Sequence, residues 1–282
     1  MASNLASAVA PSSSPLGGPQ VFSNLMPELF SSYLEYKSNL FRFAWLQKTT
    51  DLNVVCRNST AEKVSFQTPE ALENAIQSYT MFDDPAGQGL SRLEPHDDCW
   101  GSWMRSALED LHPGERPVGG PLLDVLKKGL VMGSCRFVKG YTLFRYRPNH
   151  WTYLLRDLSP LEPQFRDGEN YIMRSEILAI VAIFYNQMNS VGFDVYKGKY
   201  VDRMFIYKGG SLTATIVTTM AGKVRVVQAS CNPADEYPTL TYTLHGFWDL
   251  SMSTYNKTTA QKVVKWLLCP PDPAQTIPLR TL

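Results

Sequence analysis

The segment YIMRSEILAIVAIFYNQMN, residues 171–189, is apolar on almost every side of a helical wheel from Ile177 to Phe184. A helix on the surface of a globular protein keeps one polar face, whereas a helix that is apolar all round is buried. We therefore predict a helix in this segment that is covered by other elements on more than one side. Glu176 lies near its start, so an acidic side chain enters an apolar environment.

On both sides of this helix the sequence becomes rich in β-branched and aromatic residues, which are typical of strands. Glycine and proline pairs, such as Gly209-Gly210 and Asn232-Pro233, separate the segments that follow the helix. Short strands joined by such turns predict an antiparallel meander. The predicted strand segments are CRFVKGYTLFRYRPNHWTYLL (135–155), VDRMFIYK (201–208), SLTATIVTTM (211–220), KVRVVQASC (223–231) and TLTYTLHGFW (239–248).

The first half of the chain carries mainly helical patterns. The clearest is DDCWGSWMRSALEDLHPG (97–114), whose apolar residues recur at helical spacing before Pro113-Gly114 ends it. Further helices are predicted in TPEALENAIQSYTMF (68–82), in PLLDVLKKG (121–129), from MPELF (26–30) onward, and in TTAQKVVKWLL (258–268) near the C-terminus. The fold class is thus α+β, with a helical N-terminal half and an antiparallel sheet with packed helices in the C-terminal half.

Residues 1–20 consist mainly of Ser, Ala, Pro and Gly, so they bury too little apolar surface to offset ordering. We predict a disordered tail over 1–20 and a single α+β domain over 21–282. The segment 113–121 is rich in Gly and Pro, and is compatible with an internal boundary or with one continuous domain.

Composition restricts the class of partner. The 282 residues carry a formal net charge of +1, so no overall field steers the chain toward nucleic acid or an anionic membrane. The five cysteines are widely spaced without a CxxC pair, which favours free thiols in a reducing compartment. The N-terminus has no positively charged start or apolar core of a signal peptide, and no stretch is long and apolar enough to span a bilayer. We expect the cytoplasm or nucleus, and no membrane.

Glu176 is a candidate acid or base, because burial at the start of an apolar helix raises the pKa of a carboxyl group. Restriction-type nucleases combine such a glutamate with a strand aspartate, here Asp194 or Asp202, to hold Mg²⁺. They also need Glu-x-Lys on the following strand, and the strands here read TATIVTT and VRVVQAS. The absence of Glu-x-Lys argues against an active enzyme of this type. The structural alternative for Glu176 is a favourable interaction with the helix dipole, which is the usual role of a glutamate at the start of a helix.

The stretch YTLHGFWDLS, residues 241–250, places a histidine and an aspartate close together. His245 and Asp249 resemble a base and its orienting carboxylate, but no nucleophile is near them in sequence. The alternation predicts that His245 lies on the polar face of a strand that ends here, with Phe247 and Trp248 as anchors. GxSxG, GxGxxG, P-loop and HExxH signatures are absent.

Residues 136–156 carry five basic residues and no acidic residue, interleaved with aromatic residues. Arg145 and Arg147 are predicted to point the same way on a strand, beside Tyr146 and Trp151. Guanidinium groups beside aromatic rings bind phosphates and stack on bases, so these four are our candidate binding residues, with nucleic acid as one alternative partner. The other interpretation is a sheet with one solvated basic face.

The segments RPNHWTYLLRDL and FRDGENYIMRSEILAIVAIFYNQM resemble an uncharacterised family of proteins from filamentous ascomycete fungi. The similarity extends over residues 140–268 and includes an acidic residue opening an apolar helix (Glu176), the following strands, and a closing helix with Lys265-Trp266. The chain departs from that family in the turn TMAGK, where the family tends to carry a glycine-rich turn. The resemblance implies an accessory role near secondary-metabolite biosynthesis, and it transfers no catalytic residue.

Together these patterns predict an intracellular, non-catalytic binding or accessory protein with a protein partner. We expect no metal site and no cofactor. The alternatives are a hydrolase or degenerate nuclease-like enzyme using Glu176 and Asp202, with His245 as a further candidate, and a nucleic-acid-binding protein.

Overall fold

The computed structural model describes residues 17–49, 52–59, 64–84, 99–111, 119–132, 135–159 and 169–273. The helices in this part of the chain are α1 (Pro19–Glu35), α2 (Phe43–Thr49), α3 (Glu70–Ser78), α4 (Cys99–Leu111), α5 (Pro121–Lys128), α6 (Arg174–Met188) and α7 (Lys257–Leu268). The strands are β1 (Leu40–Arg42), β2 (Asn53–Asn58), β3 (Leu130–Met132), β4 (Cys135–Arg147), β5 (His150–Asp157), β6 (Tyr171–Met173), β7 (Asn189–Asp194), β8 (Lys199–Phe205), β9 (Leu212–Met220), β10 (Lys223–Cys231) and β11 (Thr239–Asp249).

The central element is a seven-stranded sheet with the order β2-β11-β10-β9-β5-β4-β3. Strands β9, β10 and β11 form an antiparallel meander, which confirms the prediction for this region. Two pairings are parallel, β5 with β9 and β11 with β2, so the sheet is mixed rather than purely antiparallel. Parallel neighbours come from distant parts of the chain, and β2 brings a strand from the N-terminal half into this sheet.

The strand predicted in VDRMFIYK lies outside the meander. It forms β8, which pairs with β7 in a separate two-stranded hairpin. Because β7 begins at Asn189 directly after α6, the hairpin is attached to the C-terminal end of that helix. The pairing passes from Val191–Arg203 to Gly192–Val201, so Asp202 occupies a bulge.

Helix α6 is buried along its whole length, as its apolar sequence predicts, and every residue from Ser175 to Met188 is enclosed. It packs on one face of the sheet, in one core cluster with Ala214 and Ile216 of β9, and α1 covers its outer side. Helices α4 and α7 pack on the opposite face, against Val217 of the same strand. The fold is therefore three-layered, with helices on both faces of the sheet.

The α+β class is confirmed, whereas the helical N-terminal half is only partly confirmed, because β1, β2 and β3 also lie in that half. Helix α1 begins at Pro19, seven residues before the predicted start at Met26, and a proline suits the first turn of a helix. It buries Phe22, Met26 and Phe30, spaced one turn apart. Residues 1–16 of the predicted tail and residues 113–118 of the predicted boundary lie outside the described residues.

Candidate functional site

Glu176 lies in the first turn of α6, and its carboxylate is held entirely by groups of the fold. Its Oε1 accepts a hydrogen bond from Arg225 Nε at 2.8 Å and one from Thr218 Oγ1 at 3.3 Å. Its Oε2 accepts one from the backbone N–H of Met173 at 2.8 Å, as the third residue of a helix does in a capping box. Burial raises the pKa of the Glu176 carboxyl, and the Arg225 guanidinium opposes that rise.

Arg225 of β10 is fully buried, and it completes a cluster that the sequence did not predict. Its Nη2 donates to the backbone oxygen of Tyr171, and its guanidinium lies 4.3 Å above the Tyr171 ring. Alternation in KVRVVQAS suggests an exposed arginine, because charged residues there alternate with valines. The arginine faces inward because Glu176 lies opposite it, and that proximity is set by the packing of α6 on the sheet.

Asp157, at the end of β5, is a second buried carboxylate that the sequence analysis did not single out. Its Oδ2 accepts a 2.5 Å hydrogen bond from Ser175 Oγ, and its Oδ1 accepts one from the backbone N–H of Ser159 at 2.8 Å. Burial raises the pKa of the Asp157 carboxyl, and the bonds from Ser159 and Ser175 lower it again. Two carboxylates thus lie at the N-terminal turn of α6, where the helix dipole favours negative charge.

The structure separates Glu176 from the aspartates of the nuclease hypothesis. The hairpin that contains Asp194 and Asp202 follows the far end of α6, and Glu176 and Met188 are about 18 Å apart along the helix axis. Asp194 Oδ1 accepts from the backbone N–H groups of Tyr196 and Lys197, so it caps the hairpin turn. The side chain of Asp202 lies outside the described part of the structure. Among the described residues, no three His, Cys, Asp or Glu side chains are grouped so as to hold a metal ion.

His245 is fully buried, on the face of the sheet that α7 covers. Its ring lies 4.5 Å from that of Trp266, and within the described structure neither ring nitrogen has a hydrogen-bond partner. Burial lowers the pKa of His245 to about 3, so the imidazole is neutral at pH 7. Asp249 does not orient it, because Asp249 Oδ1 accepts from the backbone N–H of Ser251 and from Thr254 Oγ1 and so caps the next turn.

The predicted basic and aromatic residues at the β4–β5 hairpin mostly contact one another. The Arg145 guanidinium lies 4.6 Å from the centre of the Trp151 ring, whose indole is buried and donates to the Pro148 oxygen at 3.0 Å. Arg147 instead lies over Tyr146 at 5.0 Å and approaches Asp272 at 3.6 Å. A register shift between Arg145 and Arg147 gives the two guanidinium groups these different neighbours. The Trp151 face is therefore covered by arginine rather than open to a base.

A cavity of about 850 Å³ lies at the C-terminal end of α6, opposite to the Glu176 end. It is open to solvent, and four chain segments line it: the β4–β5 turn, the end of α6, the end of β8 with the following loop, and the start of β9. Its lining residues are Pro148, Asn149, Gln187, Met204, Phe205, Ile206, Tyr207, Lys208, Gly209 and Leu212. Most of these side chains are apolar, which is usual for pockets that bind small organic molecules.

Hydrogen bonds hold the loop that forms one wall of the cavity. The Tyr207 hydroxyl donates to the Gly210 oxygen at 2.6 Å, and Gly209 and Gly210 adopt the positive φ that this tight turn requires. The Asn149 side-chain amide donates to the Ser211 oxygen at 2.7 Å. The backbone N–H of Ile206 donates to the Met188 oxygen at 2.9 Å. The cavity is thus largely formed before any ligand enters.

Gln187 is the buried polar residue of the lining, with 6% of its surface exposed. Its Nε2 donates to the Thr213 backbone oxygen at 2.8 Å. Its Oε1 has no hydrogen-bond partner in the described part of the chain.

None of the cavity residues is among the site residues predicted from the sequence. Each of the four lining segments is short and carries no motif of its own, and only the tertiary fold brings them together. One signal was available. The buried helix ends in YNQMN, and three amides after an apolar run need partners inside the protein or in a ligand.

Comparisons of the chain with protein families, with curated proteins and with solved structures find no match. Across the described ranges, no helix combines the length and the apolar character needed to cross a membrane.

Proposed function

We propose that this chain is a non-catalytic binding protein that holds a small, mainly apolar molecule in the cavity at the C-terminal end of α6. The observation that carries the proposal is the preformed cavity of about 850 Å³, a volume within the usual range for ligand pockets. Met204, Ile206 and Leu212 supply its apolar lining, and Gln187 supplies a buried polar group.

Support for a non-catalytic role comes from the candidate catalytic residues. The Glu176 carboxylate accepts hydrogen bonds from Arg225, Thr218 and the backbone N–H of Met173. The His245 ring is buried against Trp266. A general acid or base has to reach the group that it protonates or deprotonates. Neither side chain reaches the cavity or the surface, since both are 0% exposed and neither belongs to its lining.

We further propose that the protein acts inside a fungal cell, in the cytoplasm or nucleus, as an accessory factor to secondary-metabolite biosynthesis. The resemblance over residues 140–268 supports this setting, and every cavity residue falls within that range. In this role the protein receives an apolar molecule from a partner protein, or delivers it to one.

A fluorescence titration with N-phenyl-1-naphthylamine, an uncharged apolar probe, tests the cavity. Ile206 lines it and is 40% exposed, so Ile206→Arg places a charge in the lining without disturbing the core. We expect about 10-fold weaker probe binding, because an apolar contact worth about 1.5 kcal/mol is lost. Val195→Arg is the matched control, since Val195 is 79% exposed on the β7–β8 hairpin and lies outside the lining. Equal probe affinity in the wild type and both variants would overturn the proposal.

A further inference from the structure

We infer that the molecule bound in the cavity is an apolar body with an anionic head group, and that the Lys208 ammonium binds this head group. The inference rests on the proposed function, because it names the class of ligand for the same cavity. It adds Lys208 as a specificity-determining residue, which neither the sequence patterns nor the fold class indicates.

Lys208 lies on the same side of its chain segment as apolar residues of the lining. Met204, Ile206 and Lys208 are exposed, and all three line the cavity. Phe205 and Tyr207, which alternate with them, are half-buried and pack against the core cluster that contains α6. In an extended segment, alternate side chains point to the same side. A ligand whose apolar body lies on Met204 and Ile206 therefore has Lys208 beside it.

Lys208 is the one charged side chain among the described lining residues. The Tyr207 hydroxyl and the Asn149 side-chain amide donate to backbone oxygens of the protein, and the Gln187 side chain is buried. Within the described part of the chain, the Lys208 ammonium has neither an ion pair nor a hydrogen bond. Its charge is therefore available to a ligand.

Acidic residues near this end of the sheet have other partners. Asp235, which acts on the pKa of Tyr207, accepts a hydrogen bond from Asn232 Nδ2 at 2.6 Å. Asp272 lies 3.6 Å from Arg147, next to the β4–β5 turn. Neither aspartate lines the cavity, so an anionic head group meets no acidic side chain in the described lining.

The turn after Lys208 leaves room for a head group. Gly209 and Gly210 have no side chains, and the position that a Cβ atom would take at either glycine has no described atom within 4 Å. Gly209 itself belongs to the lining. A head group can therefore approach Lys208 from this side without displacing a side chain.

Isothermal titration calorimetry at pH 7 compares 2-naphthoate with 2-naphthamide, which share the apolar body and differ in the charge of the head group. For the wild type we expect 2-naphthoate to bind about 5-fold more tightly, the upper end of the range for an ion pair that water also reaches. In Lys208→Met we expect this preference to disappear and the affinity for 2-naphthamide to be retained, because the apolar stem of the side chain is kept. In Lys208→Arg, which keeps the charge, we expect the preference to remain.

Lys199→Met is the matched control, because it removes the same charge from an exposed lysine outside the lining. Lys199 begins β8, about 20 Å along the strand from Phe205, so we expect the wild-type preference in this variant. Equal binding of the two naphthalenes to the wild type, a preference that persists in Lys208→Met, or an equal loss in both methionine variants would overturn the head-group inference and leave the proposed function standing. Failure of both compounds to bind to the wild type would overturn the proposed function as well.

Discussion

Replacing Arg225 by methionine is expected to lower the free energy of unfolding by about 3–5 kcal/mol, because the buried Glu176 carboxylate loses its counter-charge. Both side chains are 0% exposed, so water cannot take the place of the guanidinium. The Met173 N–H and the Thr218 hydroxyl remain as donors, but neither carries a charge. Urea denaturation at pH 7 followed by tryptophan fluorescence measures the change.

Two comparisons separate this prediction from a general effect of mutation. In the double variant Glu176→Gln with Arg225→Met no unpaired charge is left, so we expect most of the lost stability to return. Arg105→Met breaks an ion pair with Glu109 at 2.9 Å, but those side chains are 50% and 59% exposed, and such pairs contribute less than about 1 kcal/mol. A loss for Arg225→Met as small as that for Arg105→Met would show that Glu176 is not held as an ion pair, and would reopen its catalytic candidacy.

Acidification is expected to destabilise the protein through His245. Burial lowers the pKa of the folded-state imidazole from 6.5 to about 3, so between these pH values the unfolded chain binds a proton that the folded chain does not. Stability is therefore lost as the pH falls below about 6.5. At pH 4.5 the expected contribution of His245 is about 3 kcal/mol. His150 acts in the same direction, because burial lowers its pKa to about 4.

The variant His245→Met isolates this contribution. Its side chain is apolar and packs against Trp266, so we expect stability at pH 7 to be equal to or above that of the wild type. At pH 4.5 the free energy of unfolding of His245→Met should exceed that of the wild type by about 3 kcal/mol. Burial raises the pKa values of Asp157 and Glu176, which favours the folded state as the pH falls. Both carboxyl groups are present in the wild type and in His245→Met, so their effect cancels in the comparison. A difference that stays constant between pH 7 and pH 4.5 would show that the pKa of His245 is not lowered in the folded protein.

His150→Phe provides the contrast. His150 Nε2 lies 2.9 Å from Thr215 Oγ1, so this buried histidine has a partner that His245 lacks in the described structure. We therefore expect His150→Phe to lower the free energy of unfolding by about 1 kcal/mol at pH 7, whereas His245→Met does not lower it.

Local patterns were sufficient to predict α6 and the β9–β10–β11 meander. The continuous apolar run of α6 fits no exposed position, and the turn residues Ala221-Gly222 and Asn232-Pro233 separate the three strand segments. The parallel pairings of β5 with β9 and of β2 with β11 were not predictable in this way. Such neighbours are far apart in sequence, and their register depends on how the helices cover the sheet.

The candidate site was less predictable than the fold. His150 follows Pro148-Asn149, a dipeptide typical of turns, but it begins β5 and is buried. The burial of Arg225 cannot be predicted from its strand alone, because only the packing of α6 on the sheet places Glu176 opposite it. The cavity depends on Gln187, on the loop after β8 and on the β4–β5 turn, which no local periodicity relates to one another.

Nuclear magnetic resonance of the protein labelled with ¹³C at the methionine methyl groups tests the binding proposal most directly. Met204 lines the cavity, while Met252 is 38% exposed in the turn after β11. That turn contacts the Met220 end of β9, about 26 Å along the strand from the cavity residue Leu212. Assignment by Met204→Leu and Met252→Leu identifies the two signals. On titration with 2-naphthol, we expect a saturable shift of the Met204 signal and an unchanged Met252 signal. An unchanged Met204 signal, or equal shifts of the two, would contradict binding in this cavity.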